Sequence, residues 1–126
     1  MYKHLMICAF LLTGLAQACG GGSGGGGSGV AGDKKVVDLS AADIDKVCAY
    51  VSTVFPEQSV TCNGQTVTIG TNKAECITDL DTIDPACAVT VAQAEDCADA
   101  LGALSDEQLC TQEVPPAACQ PLLSCE

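Results

Sequence analysis

Ten of the 126 residues are cysteine, and their spacing decides which of the reactions open to a thiol this chain can use. Cys8 and Cys19 stand near the start. The other eight, Cys48, Cys62, Cys76, Cys87, Cys97, Cys110, Cys119 and Cys125, are spread so that the closest two are six positions apart. No CxxC occurs, which removes both the zinc knuckle, where paired thiolates share one metal, and the thioredoxin-type redox pair. The one histidine is His4. No imidazole therefore stands further along to activate a serine or a thiol, and no serine sits in a GxSxG turn. Structural disulfides are the use that remains. Each typically contributes about 2–4 kcal/mol, mainly by restricting the unfolded chain. Eight cysteines permit on the order of a hundred pairings, among which sequence does not choose.

Carboxylates are the second reactive population. All 16 acids follow residue 32, opposed there by Lys34, Lys35, Lys46 and Lys73, so residues 19–126 carry 4 − 16 = −12 against −11 for the whole chain. Nucleic acid and anionic lipid headgroups are disfavoured partners, because binding either requires basic groups that displace counterions. Asp79, Asp81 and Asp84 invite a calcium reading. An EF-hand loop, however, needs an oxygen ligand at its fifth position and glycine at its sixth, where Ile83 and Asp84 stand. These three acids, like Glu95, Asp96, Asp99, Asp106 and Glu107, are read as solvated faces, with no metal and no cofactor. Paired carboxylates also serve glycosidases, but that chemistry uses a cleft and aromatic platforms. Past residue 18 the only aromatics are Tyr50 and Phe55. The chain is not expected to be an enzyme.

The elements that must hold the cysteines are mostly helical. Ser40 caps a helix with Asp43 at its third position, and Ile44, Val47, Cys48, Val51 and Val54 or Phe55 form a stripe that stops before Pro56. Ser59–Cys62 and Gln65–Ile69 flank Asn63-Gly64, the strongest short hairpin signal, because both turn residues accept positive φ. A second helix starts at Thr71 or Asn72, with Glu75 closing a capping box on Asn72 and Cys76, Ile77, Leu80 and Ile83 facing inward, and it stops near Asp84-Pro85. A third follows Thr90, whose cap Gln93 complements, with Ala94, Cys97, Ala98 and Leu101 as its stripe before Gly102. Ser105 and Gln108 begin a short fourth turn. A last helical turn runs from Pro116 through Leu123. Three helices thus carry a cysteine in mid-course on the apolar face, placed for a bridge to a neighbour.

The start of the chain has a different character. Lys3 and His4 precede an apolar run from Leu5 to Leu15 and a small-residue exit, Ala16-Gln17-Ala18, the three regions of an export signal. The run is too short for a permanent membrane helix, which needs about 20 residues. Cys19 follows at once, and residues 20–32 are glycine and serine except for Val30 and Ala31. Together these features resemble the N-terminal region of small cysteine-rich lipoproteins of Gram-negative bacteria. The resemblance covers residues 1 to about 33. It implies that residues 1–18 are a signal peptide, that Cys19 carries fatty acid such as palmitate, and that residues 19–33 form a flexible tether with a reach of roughly 20 Å. Gly20, where an inner-membrane sorting signal has Asp, implies the outer membrane. Ala16-Gln17-Ala18 also fits ordinary signal peptidase, which would give a secreted protein. That alternative leaves nine cysteines, whereas lipidation of Cys19 leaves an even eight.

Residues 34–126 then form one small domain. Its aliphatic side chains are mainly Val, Ala, Leu and Ile, so burial alone supplies little at this size. The fold expected is a small disulfide-rich domain, mainly α with one β-hairpin in the order α-ββ-α-α, in an oxidising compartment. The function expected is a membrane-anchored, envelope-exposed module that binds a protein or small ligand. A passive structural or protective envelope component is the alternative, and a secreted toxin or inhibitor a further one.

Overall fold

The Ser40 hydroxyl accepts the backbone N–H of Asp43 at 3.2 Å and opens α1, Ala41–Val54. The computed structural model describes residues 27–125. Asp43 in the first turn complements the positive end of the helix dipole, and Ile44, Val47 and Cys48 are buried along one stripe. The helix gives way at Phe55, the residue before Pro56, where the proline ring disfavours helical backbone.

Strands β1, Gln58–Cys62, and β2, Gln65–Ile69, pair antiparallel with Val60 opposite Val67 and Cys62 opposite Gln65. Asn63 and Gly64 both take positive φ, 52° and 80°, the two-residue turn whose twist matches that of the strands. Val60 is buried, while β2 is exposed except for a half-buried Ile69.

Helix α2, Lys73–Asp81, is capped by Asn72, whose side-chain oxygen accepts the Glu75 N–H at 2.9 Å. The reciprocal half of the expected capping box, from the Asn72 backbone N–H to Glu75, is not made, while the Asn72 side-chain Nδ2 donates to Glu57 at 2.9 Å. The helix ends at Asp81, so Ile83 lies beyond it. Cys76, Ile77 and Leu80 are half-buried rather than fully inside. Helix α3, Val91–Gly102, has the full capping box between Thr90 and Gln93, and α4, Asp106–Thr111, has it between Ser105 and Gln108. The closing segment, Ala117–Cys125, is a 3-10 helix with Pro121 inside it. A proline lacks the N–H that α geometry would use there.

Two features were not legible in the sequence. Val36–Asp38 forms a 3-10 turn, and the chain before it is built into the fold. Val30, the one large apolar residue among the glycines, is buried against Val47 and Val91. The carbonyls of Gly32 and Lys34 accept the N–H groups of Ala92 and Val91, at 2.9 and 2.8 Å. These donors belong to the first turn of α3, which has no partners of its own for them. The expected boundary between tether and domain at residues 33 and 34 therefore moves back: the packed unit includes residues 28–33.

Four disulfides complete the domain, using all eight cysteines from Cys48 onward. Cys48–Cys76 joins α1 to α2, Cys62–Cys110 joins β1 to α4, Cys97–Cys119 joins α3 to the closing 3-10 helix, and Cys87–Cys125 joins that helix to the α2–α3 loop. Among the described residues, the buried ones are largely valine and cysteine, with no aromatic. The architecture is the small disulfide-rich, mainly helical domain with one hairpin that the spacing predicts.

Candidate functional site

The α2–α3 loop builds one wall of a concave part of the surface. Thr82 caps the end of α2 by donating its hydroxyl to the carbonyls of Thr78 and Asp79, at 3.1 and 3.2 Å. Asp84 then folds the chain back on itself: its side-chain Oδ1 accepts the Ala86 N–H at 2.7 Å and its carbonyl accepts the Cys87 N–H at 2.9 Å. This turn delivers Cys87 to Cys125. Two residues later the Val89 carbonyl accepts the Val36 N–H at 2.9 Å, which lays the 3-10 turn against the loop.

Between these parts lies an open groove of about 800 Å³. Val36, Leu80, Ile83, Val89 and Leu122 give it an apolar lining beside the Cys87–Cys125 bridge. Val36, Cys87 and Val89 are buried, whereas Asp79 and Asp84, which also line the groove, are exposed. The deep part is therefore apolar and the mouth acidic. Neither acid has a cation at ion-pair distance among the described residues. Lys34 pairs with Asp43 and Lys73 with Asp45, each at 2.7 Å. An arrangement of this kind can hold an aliphatic body in the groove and a positive charge at its mouth.

Asp79, Asp81 and Asp84 do not form a common cage. Asp79 and Asp81 stand at the end of α2 and Asp84 in the loop. No group of three His, Cys, Asp or Glu side chains among the described residues is placed to hold a metal ion. Cys19 and the expected signal, residues 1–18, lie outside the described residues.

Two acids on α3 have structural partners. Glu95, expected on a solvated face, is instead buried at 3% exposure and accepts the Ser28 N–H at 3.2 Å. Its partner is 67 residues away in sequence, so helical periodicity could not assign it. Asp99 is exposed, as expected, and accepts the Tyr50 hydroxyl at 2.7 Å. That hydrogen bond, with lesser contributions from partial burial and from the charges of Asp99, Glu95 and Asp96, pushes the Tyr50 phenol from its ordinary 10.0 up to about 12. In the first turn of α1, the hydrogen bonds with Lys34 and Ser40 hold the Asp43 carboxyl below its ordinary range.

The groove residues that sequence reasoning missed are Val36, Val89 and Leu122. They come from three irregular or 3-10 segments, where no period marks which side chains will meet. No protein-family model matches this chain, and neither does any curated protein or solved structure.

Proposed function

We propose that the protein is a lipid-anchored binding module of the bacterial envelope, held through Cys19 at the outer membrane, whose groove takes a small ligand with an aliphatic body and a cationic end. The observation that carries this reading is the groove. Its size falls within the roughly 300–1,000 Å³ common for small-ligand sites, which are mostly apolar with a few placed polar groups. Among the described residues, the only charged groups lining it are two carboxylates without cations at ion-pair distance. A net charge of −12 after residue 18 also concentrates cations near the surface. The export signal, Cys19 and the glycine-serine run support the anchoring half, and the absence of histidine after residue 4 supports binding without catalysis.

Each half has its own test. Radiolabelled palmitate fed to cells should enter the wild-type chain and not Cys19→Ala; equal labelling, or none in either, removes the anchor and favours the secreted alternative. For the groove, hexylammonium, hexanol and hexanoate are compared as probes of thermal stability in the full-length protein. Hexylammonium should raise the melting temperature most and hexanoate least. Asp79→Asn with Asp84→Asn should erase that ranking. If all three probes leave the melting temperature unmoved, the groove is not a ligand site and the passive envelope component becomes the better account.

A further inference from the structure

The hairpin carries a separate inference, independent of the groove. In a chain with 16 acids, no charged residue occurs between Glu57 and Lys73, so the whole hairpin is neutral. Strand β1 has α4 packed against it and is bolted to that helix by Cys62–Cys110. Strand β2 pairs only with β1 among the described residues. Natural edge strands are usually blunted by Lys, Pro or a bulge, because their free N–H and C=O groups template further pairing. β2 reads Gln-Thr-Val-Thr-Ile, in continuous register with β1, and has none of these.

Register fixes which groups face outward. The two-residue turn makes Cys62 and Gln65 a hydrogen-bonded pair, and alternation along the ladder makes Val60 with Val67 the next. The N–H and C=O groups of Thr66 and Thr68 therefore point away from β1. Nothing else among the described residues bonds to them. The triplet Thr66-Val67-Thr68 reads the same in both directions, so this edge is complementary to itself.

We propose that β2 is a self-pairing edge through which two copies of this chain join their hairpins into one four-stranded antiparallel sheet about a two-fold axis at Val67. Thr66 of each copy then faces Thr68 of the other as a hydrogen-bonded pair, giving four main-chain bonds. The two Val67 residues meet as a non-bonded pair with Cα atoms about 4.5 Å apart. A second copy is the occupant because a closed two-fold contact requires one patch that matches itself. It is also the neutral face at which two strongly acidic molecules repel least. The same repulsion acts over the rest of their surfaces, so association strengthens as salt screens it.

The test uses the full-length chain in detergent. The Cα separation lies within disulfide reach of about 4.4–6.8 Å, so Val67→Cys under copper–phenanthroline should give a covalent dimer on a non-reducing gel. Val114→Cys, at a position more exposed than Val67 (63% against 39%), should stay monomeric. Sedimentation of the wild type should show the dimer fraction rising with salt, and Val67→Lys or Thr68→Pro should abolish it. These last variants add no thiol, so they carry the test even if Val67→Cys scrambles its bridges. Equal cross-linking at residues 67 and 114, a wild type monomeric at all salt concentrations, or cross-linking of residue 67 in cells to a different protein would each overturn the proposal.

Discussion

The phenol of Tyr50, on α1, donates to Oδ1 of Asp99, on α3, at 2.7 Å, a tie between helices 49 residues apart in sequence. The chain's one other tyrosine is Tyr2, so a Tyr2→Phe variant lets the titration of Tyr50 be followed without interference. The near-ultraviolet phenolate band should have its midpoint near 12 in the folded protein, against an ordinary 10.0. Asp99→Asn should bring it down by much of that interval, with Glu95 and Asp96 retaining part of the effect. The folded state holds this proton more tightly than the unfolded one. The contribution to stability is therefore fully present below pH 10 and disappears as pH rises through about 12. A midpoint that Asp99→Asn leaves unmoved would show that the hydrogen bond does not form in solution.

Val30 is expected to behave as a core residue despite its place among glycines. It is 4% exposed and packs with Val47 and Val91. Val30→Ala should lower unfolding free energy by about 2 kcal/mol, combining lost burial with a residual cavity. Val30→Asp should lower it further. Denaturant midpoints measure both, and a wild-type midpoint for Val30→Asp would place residues 28–33 back in the tether.

Removing the Cys97–Cys119 bridge by double replacement with alanine should destabilise the domain by about 2–5 kcal/mol. Both cysteines are buried, and the bridge fastens the closing 3-10 helix to α3. Alkylation of the native protein without reductant should label none of the eight cysteines from Cys48 onward. Mass spectrometry after reduction should then find eight added labels. Extensive labelling before reduction would remove the basis of the fold described here.

Gly70 and Gly64 both have positive φ, 94° and 80°, yet substitution should separate them. A Cβ at Gly70 would run into the Pro56 carbonyl, whereas one at Gly64 meets nothing within 4 Å. Gly64→Asn should change the thermal midpoint little, since asparagine tolerates this backbone region. Gly70→Ala should destabilise by more than the 1 kcal/mol or so that backbone strain alone brings. Comparable midpoints for the two variants would mean that the chain around Pro56 yields.

How much of this was readable follows from the range of each interaction. The caps at Ser40, Thr90 and Ser105 join groups three residues apart, so side-chain chemistry and position suffice to find them. The Asn63-Gly64 turn is equally local. Disulfide bonding was legible from spacing and parity, but the partners were not, because pairing Cys62 with Cys110 depends on how α4 meets the hairpin. Glu95 was misassigned because its partner, Ser28, lies in a segment whose glycine content reads as a tether. The groove was invisible for the same reason: Val36, Val89 and Leu122 meet only after three distant segments have docked.

The order of the bridges along the chain bears on how such a protein is made. Of the first four bridged cysteines in chain order, Cys48, Cys62, Cys76 and Cys87, only Cys48 and Cys76 are native partners, and Cys62 lies between them. An oxidant that joined thiols in order of appearance would link Cys48 to Cys62, a wrong bond. The other three bridges all wait for Cys110, Cys119 or Cys125. Export as proposed would therefore call for thiol exchange afterwards, and a strain unable to reshuffle disulfides should accumulate this chain in misbridged, protease-sensitive forms.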